Sequence, residues 1–297
     1  MSYQMFIQHF LNAITLGSLY ALIAIGYSMV YGILRLINFA HGEIFMLGAY
    51  FVFWGTTLFH LPWMAAVPVA IIATALCGVL VDKCAYRPLR DAPRISALIS
   101  AIGVSFFLQN FAIVVFSAIP RPVYRPDWLV TPLLVHGVHF LPLTLVVPLI
   151  SFVLMLVVLY VVYKTKPGLA MRAISKDIET SRLMGVSVDQ IVAITFMIGS
   201  ALAAASGIMW SLRYPQVHPM MGMIPGFKAF IAAVVGGIGS IQGAVIGGMF
   251  LGFIEIMIVA FFPNLSGFKD AFAFILLIFL LLLRPTGIMG ERLEEKV

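Results

Sequence analysis

Charged residues are scarce in this sequence of 297 residues. Asp, Glu, Lys and Arg together make up 10% of it, whereas 62% of the residues are hydrophobic. An ordinary soluble domain is about 25% charged and roughly 45–50% apolar. A single water-soluble core cannot bury this much apolar side chain. The composition therefore excludes an ordinary soluble domain and indicates a chain that crosses a lipid bilayer many times.

Cysteine is also rare, and the common motifs of enzymes are missing. Cys77 and Cys84 lie close together in and beside one apolar segment, without a CxxC motif, which excludes a disulfide framework. The sequence has no Gly-x-Ser-x-Gly and no His-Glu-x-x-His. Only His136 and His139 are close together among the six histidines, and they have no third ligand nearby. We therefore expect no catalytic residue, no metal site and no cofactor bound by this chain.

A nucleotide site is excluded on similar grounds. The dipeptide Gly-Lys does not occur, so there is no Walker A motif. The glycine-rich run 236–243 follows an apolar segment and lacks the Lys-Ser/Thr pair of a phosphate-binding loop. If ATP drives this protein, another subunit must bind it.

Long apolar runs occupy most of the chain. A spanning helix needs about 20 mainly apolar residues. The stretches that meet this length are 10–31, 39–59, 63–82, 96–119, 141–163, 191–212, 243–262 and 269–284. A further stretch, 224–236, is too short for a full crossing and is predicted to be a broken or re-entrant helix. The predicted fold class is an all-α polytopic membrane protein with about eight full transmembrane helices and one partial helix, and residues 1–297 form one transmembrane domain.

Basic residues predict the orientation, because cytoplasmic loops of membrane proteins are enriched in Lys and Arg. If the N-terminus is outside and 224–236 counts as one crossing, most basic residues fall in inner loops. The inner group is Arg35, Lys83, Arg87, Arg90, Arg94, Lys164, Lys166, Arg172, Lys176, Arg182, Arg284, Arg292 and Lys296, and the outer group is Arg121, Arg125, Arg213 and Lys269. This bias predicts an outside N-terminus and a cytoplasmic C-terminus.

The one long polar stretch is the inner connection 164–190. The Pro-Gly pair at 167–168 predicts a turn, followed by a short surface helix with Ile174 and Ile178 on one face. Gly185 is placed to end that helix in the left-handed conformation. The helix is either a solvated connector or a docking element for a cytoplasmic partner, and its charges on both sides of the apolar face favour docking.

The segment 38–43, Asn-Phe-Ala-His-Gly-Glu, opens the second span. Asn38 can cap the helix, and Glu43 falls in its first turns, where the helix dipole favours a carboxylate. His41 is expected at the membrane interface. Two interpretations stay open, namely a capped helix start that faces headgroups and water, or the inner mouth of a transport path.

Strongly polar side chains also occur inside the apolar runs. Such groups are costly in lipid and usually face a bundle interior or water. Lys228 and Glu255 could pair, either to lock the bundle or to contact a substrate. The candidate path residues are Asn38, His41, Gly42, Glu43, Gln109, Asn110, Lys228 and Glu255. Glycines spaced four apart, as in 243–247 and 248–252, predict close helix packing nearby.

Several segments resemble bacterial branched-chain amino acid ABC permeases of the LivH-like family. They are 17–32, 37–43 and 184–189, and the similarity runs almost end to end. The inner connection also resembles the EAA loop of ABC permeases, with Glu179 and Gly185 at the spacing of that pattern. It departs from the pattern at Thr180 and Ser181, where alanines are usual, and it lacks the downstream Leu-Pro.

The resemblance implies a permease subunit of an ATP-driven importer in the bacterial inner membrane. It further implies a heterodimer with a second permease, two cytoplasmic ATPase subunits and a periplasmic substrate-binding protein, and no nucleic-acid partner. The loop 164–190 would contact an ATPase, and its candidate coupling residues are Arg172, Asp177, Glu179 and Gly185. The implied substrate is a branched-chain or related amino acid. Urea and short-amide importers share these motifs and are the alternative, and a non-ABC channel or secondary carrier is a further class.

Overall fold

A computed structural model describes residues 3–90, 92–135 and 138–290 of the chain. His136, Arg292 and Lys296, which entered the sequence analysis, lie outside the described residues. The main helices are α1 (Tyr3–Leu34), α2 (His41–Thr57), α3 (Trp63–Val81), α4 (Arg94–Phe116), α5 (Asp127–Val130), α6 (Leu143–Lys164), α7 (Lys166–Lys176), α8 (Ile178–Leu183), α9 (Val188–Arg213), α10 (Met223–Gly236), α11 (Ile241–Phe261) and α12 (Lys269–Leu283).

Short elements complete the chain. A π-helical turn, Asp82–Tyr86, and a 3-10 turn, Arg87–Leu89, extend α3, and a second 3-10 segment, Pro263–Phe268, precedes α12. Two small antiparallel ladders join β1 (Arg121–Pro122) to β4 (Gln216–Val217) and β2 (Leu133–Val135) to β3 (Val138–Phe140). The predicted all-α fold class is therefore confirmed.

The number of spans differs from the prediction of about eight. Within the described ranges, seven helical stretches are long and apolar enough to cross a membrane. The predicted span 39–59 is the one that does not reach spanning length. Its helix, α2, has 17 residues and is about 26 Å long at 1.5 Å per residue. That length falls short of a hydrocarbon core of about 30 Å. Most of α2 is buried in the protein, so the bilayer thickness does not dictate its length. The predicted partial helix is confirmed as α10, with 14 residues.

Helix α1 forms the centre of the bundle and packs against α6, α9, α10 and α11. Glycines of α11 allow the closest contact, as their spacing predicted. A Cβ atom added at Gly248 would overlap the backbone of Ala21, and one at Gly252 would overlap the backbone of Gly17. The two helices therefore meet backbone to backbone, where small residues are required.

The loops gather at two ends of the bundle. At the first, which we call the basic end, Arg35 Nη2 donates to the carbonyl oxygen of Ser175 at 3.3 Å, and Arg87 and Arg90 both bond to Asp189. At the opposite end, Arg213 Nη2 donates to Asn12 Oδ1 at 3.2 Å, and β1 pairs with β4. The predicted inner loops thus lie together, as do the predicted outer ones.

The connection 164–190 contains two helices where the sequence predicted one. Pro167 and Gly168 do not form a turn but lie in the first turn of α7, where proline is tolerated because its missing N–H needs no partner. Asp177 is extended, with φ −157° and ψ 112°, and separates α7 from α8. Ile174 and Ile178 therefore do not share a face: Ile174 is 1% exposed and Ile178 36%.

Candidate functional site

A pocket of about 270 Å³ lies where α1, α2, α4 and α10 meet. Among the predicted path residues, Gly42, Glu43 and Gln109 line it. The other lining residues are Tyr27, Phe39, Ile102, Ser105, Phe106, Gly222, Met223, Gly226 and Phe227. The walls are thus mainly apolar, with a few polar groups. This mixture suits a small organic solute that carries both an apolar and a polar part.

Three glycines bring two of the walls together. A Cβ atom added at Gly42 would lie 2.7 Å from the carbonyl oxygen of Gly222, and one at Gly226 would lie 3.0 Å from Gly42 Cα. The start of α2 therefore touches the start of α10 through backbone atoms. Gly42 was predicted as a path residue, and its contact with the short helix α10 was not foreseen.

Glu43 is the acidic residue of the pocket lining. It lies in the first turn of α2, as predicted, and is 3% exposed. Its Oε1 accepts a hydrogen bond from Ser105 Oγ at 3.3 Å, and its Oε2 has no partner among the described residues. The positive end of the helix dipole stabilises a carboxylate at this position. This second oxygen is buried, so it becomes an acceptor for a solute only when the pocket wall moves to uncover it.

Asn38 and His41 lie behind the pocket, and two predictions about them are wrong. Asn38 does not cap α2, which begins after Ala40, because the side-chain oxygen of Asn38 accepts a hydrogen bond from Tyr86 Oη at 3.0 Å. His41 does not lie at an interface but is 1% exposed. Its ring packs edge-on against Tyr27 with 4.7 Å between centroids, in space left by Gly26. Both residues therefore support the pocket from behind.

The two amides of α4 differ in position. Gln109 lines the pocket, and its Nε2 donates to Met220 Sδ at 2.8 Å. Asn110 points away, and its Nδ2 donates to the carbonyl oxygen of Phe106 at 2.8 Å. Asn110 is therefore not brought to the pocket.

Lys228 and Glu255, whose pairing the sequence left open, form a buried ion pair of 2.8 Å. Tyr20 Oη donates to Glu255 Oε2 at 2.9 Å, and Asp270 lies 2.5 Å from Lys228 Nζ. The cluster joins α1, α10, α11 and α12, and none of its members lines the pocket. Sequence reasoning missed Tyr20 and Asp270, because nothing in the local pattern links them to Lys228. The cluster fixes α10, whose start forms a wall of the pocket.

The connection 164–190 presents a second candidate site at the basic end. Gly185 has φ +83° and ends α8 in the left-handed region, as predicted. Just before it, Leu183 is 88% exposed and Met184 80% exposed. Sequence reasoning missed these two residues, although apolar side chains beside an exposed glycine turn are an unusual feature of a polar loop. They give the loop an apolar tip that a partner can cover.

The predicted coupling residues of the connection 164–190 have different roles. Asp177 is the N-cap of α8 and accepts from Thr180 N at 3.0 Å. Arg172 stacks on Tyr163, with 5.5 Å from its guanidinium carbon to the ring centroid. Glu179 is exposed on α8. Within the ranges that the structure describes, no three His, Cys, Asp or Glu side chains lie together as metal ligands.

Comparison with known proteins agrees with this architecture. The sequence profile of the family described as "Branched-chain amino acid transport system / permease component" matches residues 9–281. The chain is 40% identical to the high-affinity branched-chain amino acid transport system permease protein BraD of Pseudomonas aeruginosa, over 98% of each chain. It is also 40% identical to LivH of Escherichia coli K12, again over 98% of each. A probable LivH of Methanocaldococcus jannaschii is 26% identical over 94% of this chain and 91% of the relative.

These relatives are transport permeases and not enzymes, and they match nearly the whole chain. The resemblance drawn from the motifs at 17–32, 37–43 and 184–189 is confirmed. Among the described residues, seven apolar helical stretches are long enough to span a membrane, and helices satisfy their own backbone hydrogen bonds in lipid. The chain belongs to the family of branched-chain amino acid transport permeases.

Proposed function

We propose that this chain is the membrane-spanning subunit of an ATP-driven importer of branched-chain amino acids. The observation that carries the proposal is its end-to-end similarity to permeases of high-affinity branched-chain amino acid transport systems. ATP is bound by separate subunits, since the sequence has no Walker A motif. A substrate-binding protein outside the membrane delivers the amino acid.

The pocket between α2, α4 and α10 forms part of the substrate path. Its apolar lining, which includes Ile102, Phe106 and Phe227, accepts an aliphatic side chain. When the wall beside α2 moves and uncovers it, the unpaired oxygen of Glu43 accepts a hydrogen bond from the passing ammonium group. Few polar groups surround the solute, and this favours passage over tight binding.

A second permease completes the path against α4. Phe106 and Phe107 on this helix are 61% and 65% exposed, and the same helix lines the pocket. A pocket that opens along an exposed helix face needs another wall to enclose a solute. We infer that this wall belongs to a second, similar permease, and that the two subunits form a heterodimer with two ATPases.

The apolar tip at Leu183 and Met184 is the docking point for one ATPase. The basic end is therefore cytoplasmic, and the opposite end faces the periplasm. With both native cysteines replaced, a cysteine at Arg182 should be shielded from an impermeant thiol reagent in intact cells, and one at Arg125 should react. The reverse pattern would overturn both the orientation and the docking assignment.

The experiment that tests the proposed function is uptake into vesicles that contain the complete importer. Leucine, isoleucine, valine and urea are each supplied with a cognate binding protein, with or without internal ATP. We expect leucine uptake that requires ATP and the binding protein. Leucine uptake that persists without ATP and collapses with a proton ionophore would contradict an ATP-driven importer. Uptake of urea without leucine would keep the mechanism and change the substrate.

A further inference from the structure

A chain of polar contacts begins at the half-exposed Asp189 in the first turn of α9, next to the docking loop, and continues into the buried interior. Asp189 accepts hydrogen bonds from both Arg87 and Arg90. Arg90 also donates to Asp82 Oδ1 at 2.7 Å, with the two side chains 8% and 1% exposed. Charge-assisted bonds of this kind are strong and directional. The end of α3 is therefore held to the start of α9.

On the α3 side, the residues that make these contacts lie in a π-helical turn or directly after it. This turn, Asp82–Tyr86, interrupts the end of α3, and π turns inside helices recur at functional sites. The turn places Arg87 and Arg90 beside Asp189. It also directs the side chain of Tyr86 into the protein, where it is fully buried. The Tyr86 ring lies 5.2 Å from that of Phe196 on α9. One short segment thus contacts both the docking region and the interior.

Tyr86 connects the π turn to the segment that lines the pocket. Its hydroxyl donates to Asn38 Oδ1 at 3.0 Å, and the carbonyl oxygen of Asn38 accepts from His41 N at 3.1 Å. The next residues along the chain are Gly42 and Glu43, which line the pocket. Arg35 adds a second connection to the segment before α2, through its bond to the Ser175 carbonyl on α7.

We infer that Tyr86 is a positioning residue that links movement of the docking loop to the pocket through Asn38. A displacement of the start of α9 moves the arginines and the π turn, and the Tyr86 hydroxyl then shifts Asn38 and the start of α2. Buried hydrogen bonds resist breaking, because an unpaired polar group inside a protein is costly. The inference rests on the proposed ATP-driven import, since it states how hydrolysis reaches the path.

The test uses the complete importer in vesicles and measures leucine uptake and ATP hydrolysis together. Tyr86→Phe removes only the hydroxyl that bonds Asn38. Tyr50→Phe is the matched control, because Tyr50 is equally buried and its hydroxyl has no partner among the described residues. We expect Tyr86→Phe to lower the uptake per ATP hydrolysed by about fivefold. This factor is the change in an equilibrium constant that corresponds to the loss of one net hydrogen bond. Tyr50→Phe should leave that ratio unchanged.

A ratio in Tyr86→Phe equal to that in Tyr50→Phe would overturn the inference. So would a parallel loss of uptake and hydrolysis at equal amounts of assembled complex, because that pattern indicates a purely structural role. If Tyr86→Phe does not assemble, Asp189→Asn tests the other end of the contacts, with the same expected fall in the ratio. An unchanged ratio in Asp189→Asn would then overturn the inference.

The combined variant gives a further check. If Asp189 and Tyr86 belong to one connection, the effects of Asp189→Asn and Tyr86→Phe on the ratio should not add. Additive effects would place them in separate connections and contradict the inference. The wild-type complex separates this result from the proposed function: if wild type shows no ATP-dependent leucine uptake, the proposed function fails, whereas a normal wild type with an unchanged Tyr86→Phe ratio rejects only the connection.

Discussion

Gly42 and Gly222 meet backbone to backbone at the wall of the pocket. A Cβ atom at Gly42 would lie 2.7 Å from the carbonyl oxygen of Gly222, closer than real Cβ atoms approach such an oxygen. The start of α2 and the start of the short helix α10 can therefore lie this close only because both positions are glycine. The shape of the pocket depends on this contact.

Gly42→Ala should push α2 away from α10. Overpacking of this kind costs typically about 1–3 kcal/mol. We expect a lower thermal unfolding temperature of the detergent-solubilised complex and slower leucine uptake. Gly267→Ala, in the 3-10 segment before α12, is the control, because no atom of another described segment lies within 4 Å of an added Cβ there. Equal unfolding temperatures for the two variants would show that the contact between α2 and α10 is looser than described.

The ion pair of Lys228 and Glu255 should contribute to stability through α10. Lys228→Met leaves the buried carboxylate of Glu255 without its nearest cation, and breaking a buried pair in this way costs about 3–5 kcal/mol. The double variant Lys228→Met/Glu255→Gln should recover part of the loss. Thermal unfolding of the purified complex measures both effects.

Lys269→Met provides the comparison for this pair. Lys269 is half-exposed and lies 3.9 Å from Glu255, so its removal should cost no more than about 1 kcal/mol. A Lys228→Met variant as stable as Lys269→Met would contradict a role for the buried cluster in fixing α10.

Gly185 should be required for ATPase attachment because of its backbone conformation. A residue with a Cβ atom at φ +83° is strained by roughly 1–2 kcal/mol. Gly185→Ala should therefore disturb the turn after Leu183 and Met184 and reduce the ATPase that co-purifies with the permease. Gly267→Ala has equally open surroundings without the positive φ, and it should retain the ATPase. Normal ATPase recovery with Gly185→Ala would indicate that this loop is only a connector.

The sequence predicted features that depend on local composition. The spanning helices could be predicted from the apolar runs, because about 20 apolar residues are needed wherever a helix crosses lipid. The end of α8 could be predicted from Gly185, because the left-handed conformation favours glycine whatever lies around it.

Features that depend on distant partners could not be predicted in this way. Asn38 has the residue type of a helix cap, but Tyr86, far along the chain, occupies its side-chain oxygen. Asp177 divides a stretch that reads as one helix, because its side chain caps α8. His41 is polar and near a helix start, yet Gly26 leaves space for its ring in the core. At Asn38 and His41 a tertiary contact decided between two locally acceptable structures, whereas at Asp177 a local cap three residues long decided.

The central claim is that the pocket beside Glu43 lies on the path of the amino acid. Ser105→Cys, in a complete importer without Cys77 and Cys84, places a thiol in the pocket wall, and Asn264→Cys places one on an exposed segment outside it. The measurement is the rate at which a small thiol reagent modifies each cysteine, with and without leucine and its binding protein during ATP turnover. The account predicts that leucine transport slows modification of Ser105→Cys several-fold and leaves Asn264→Cys unchanged. Equal modification of Ser105→Cys with and without leucine, in a complex that transports leucine, would contradict it.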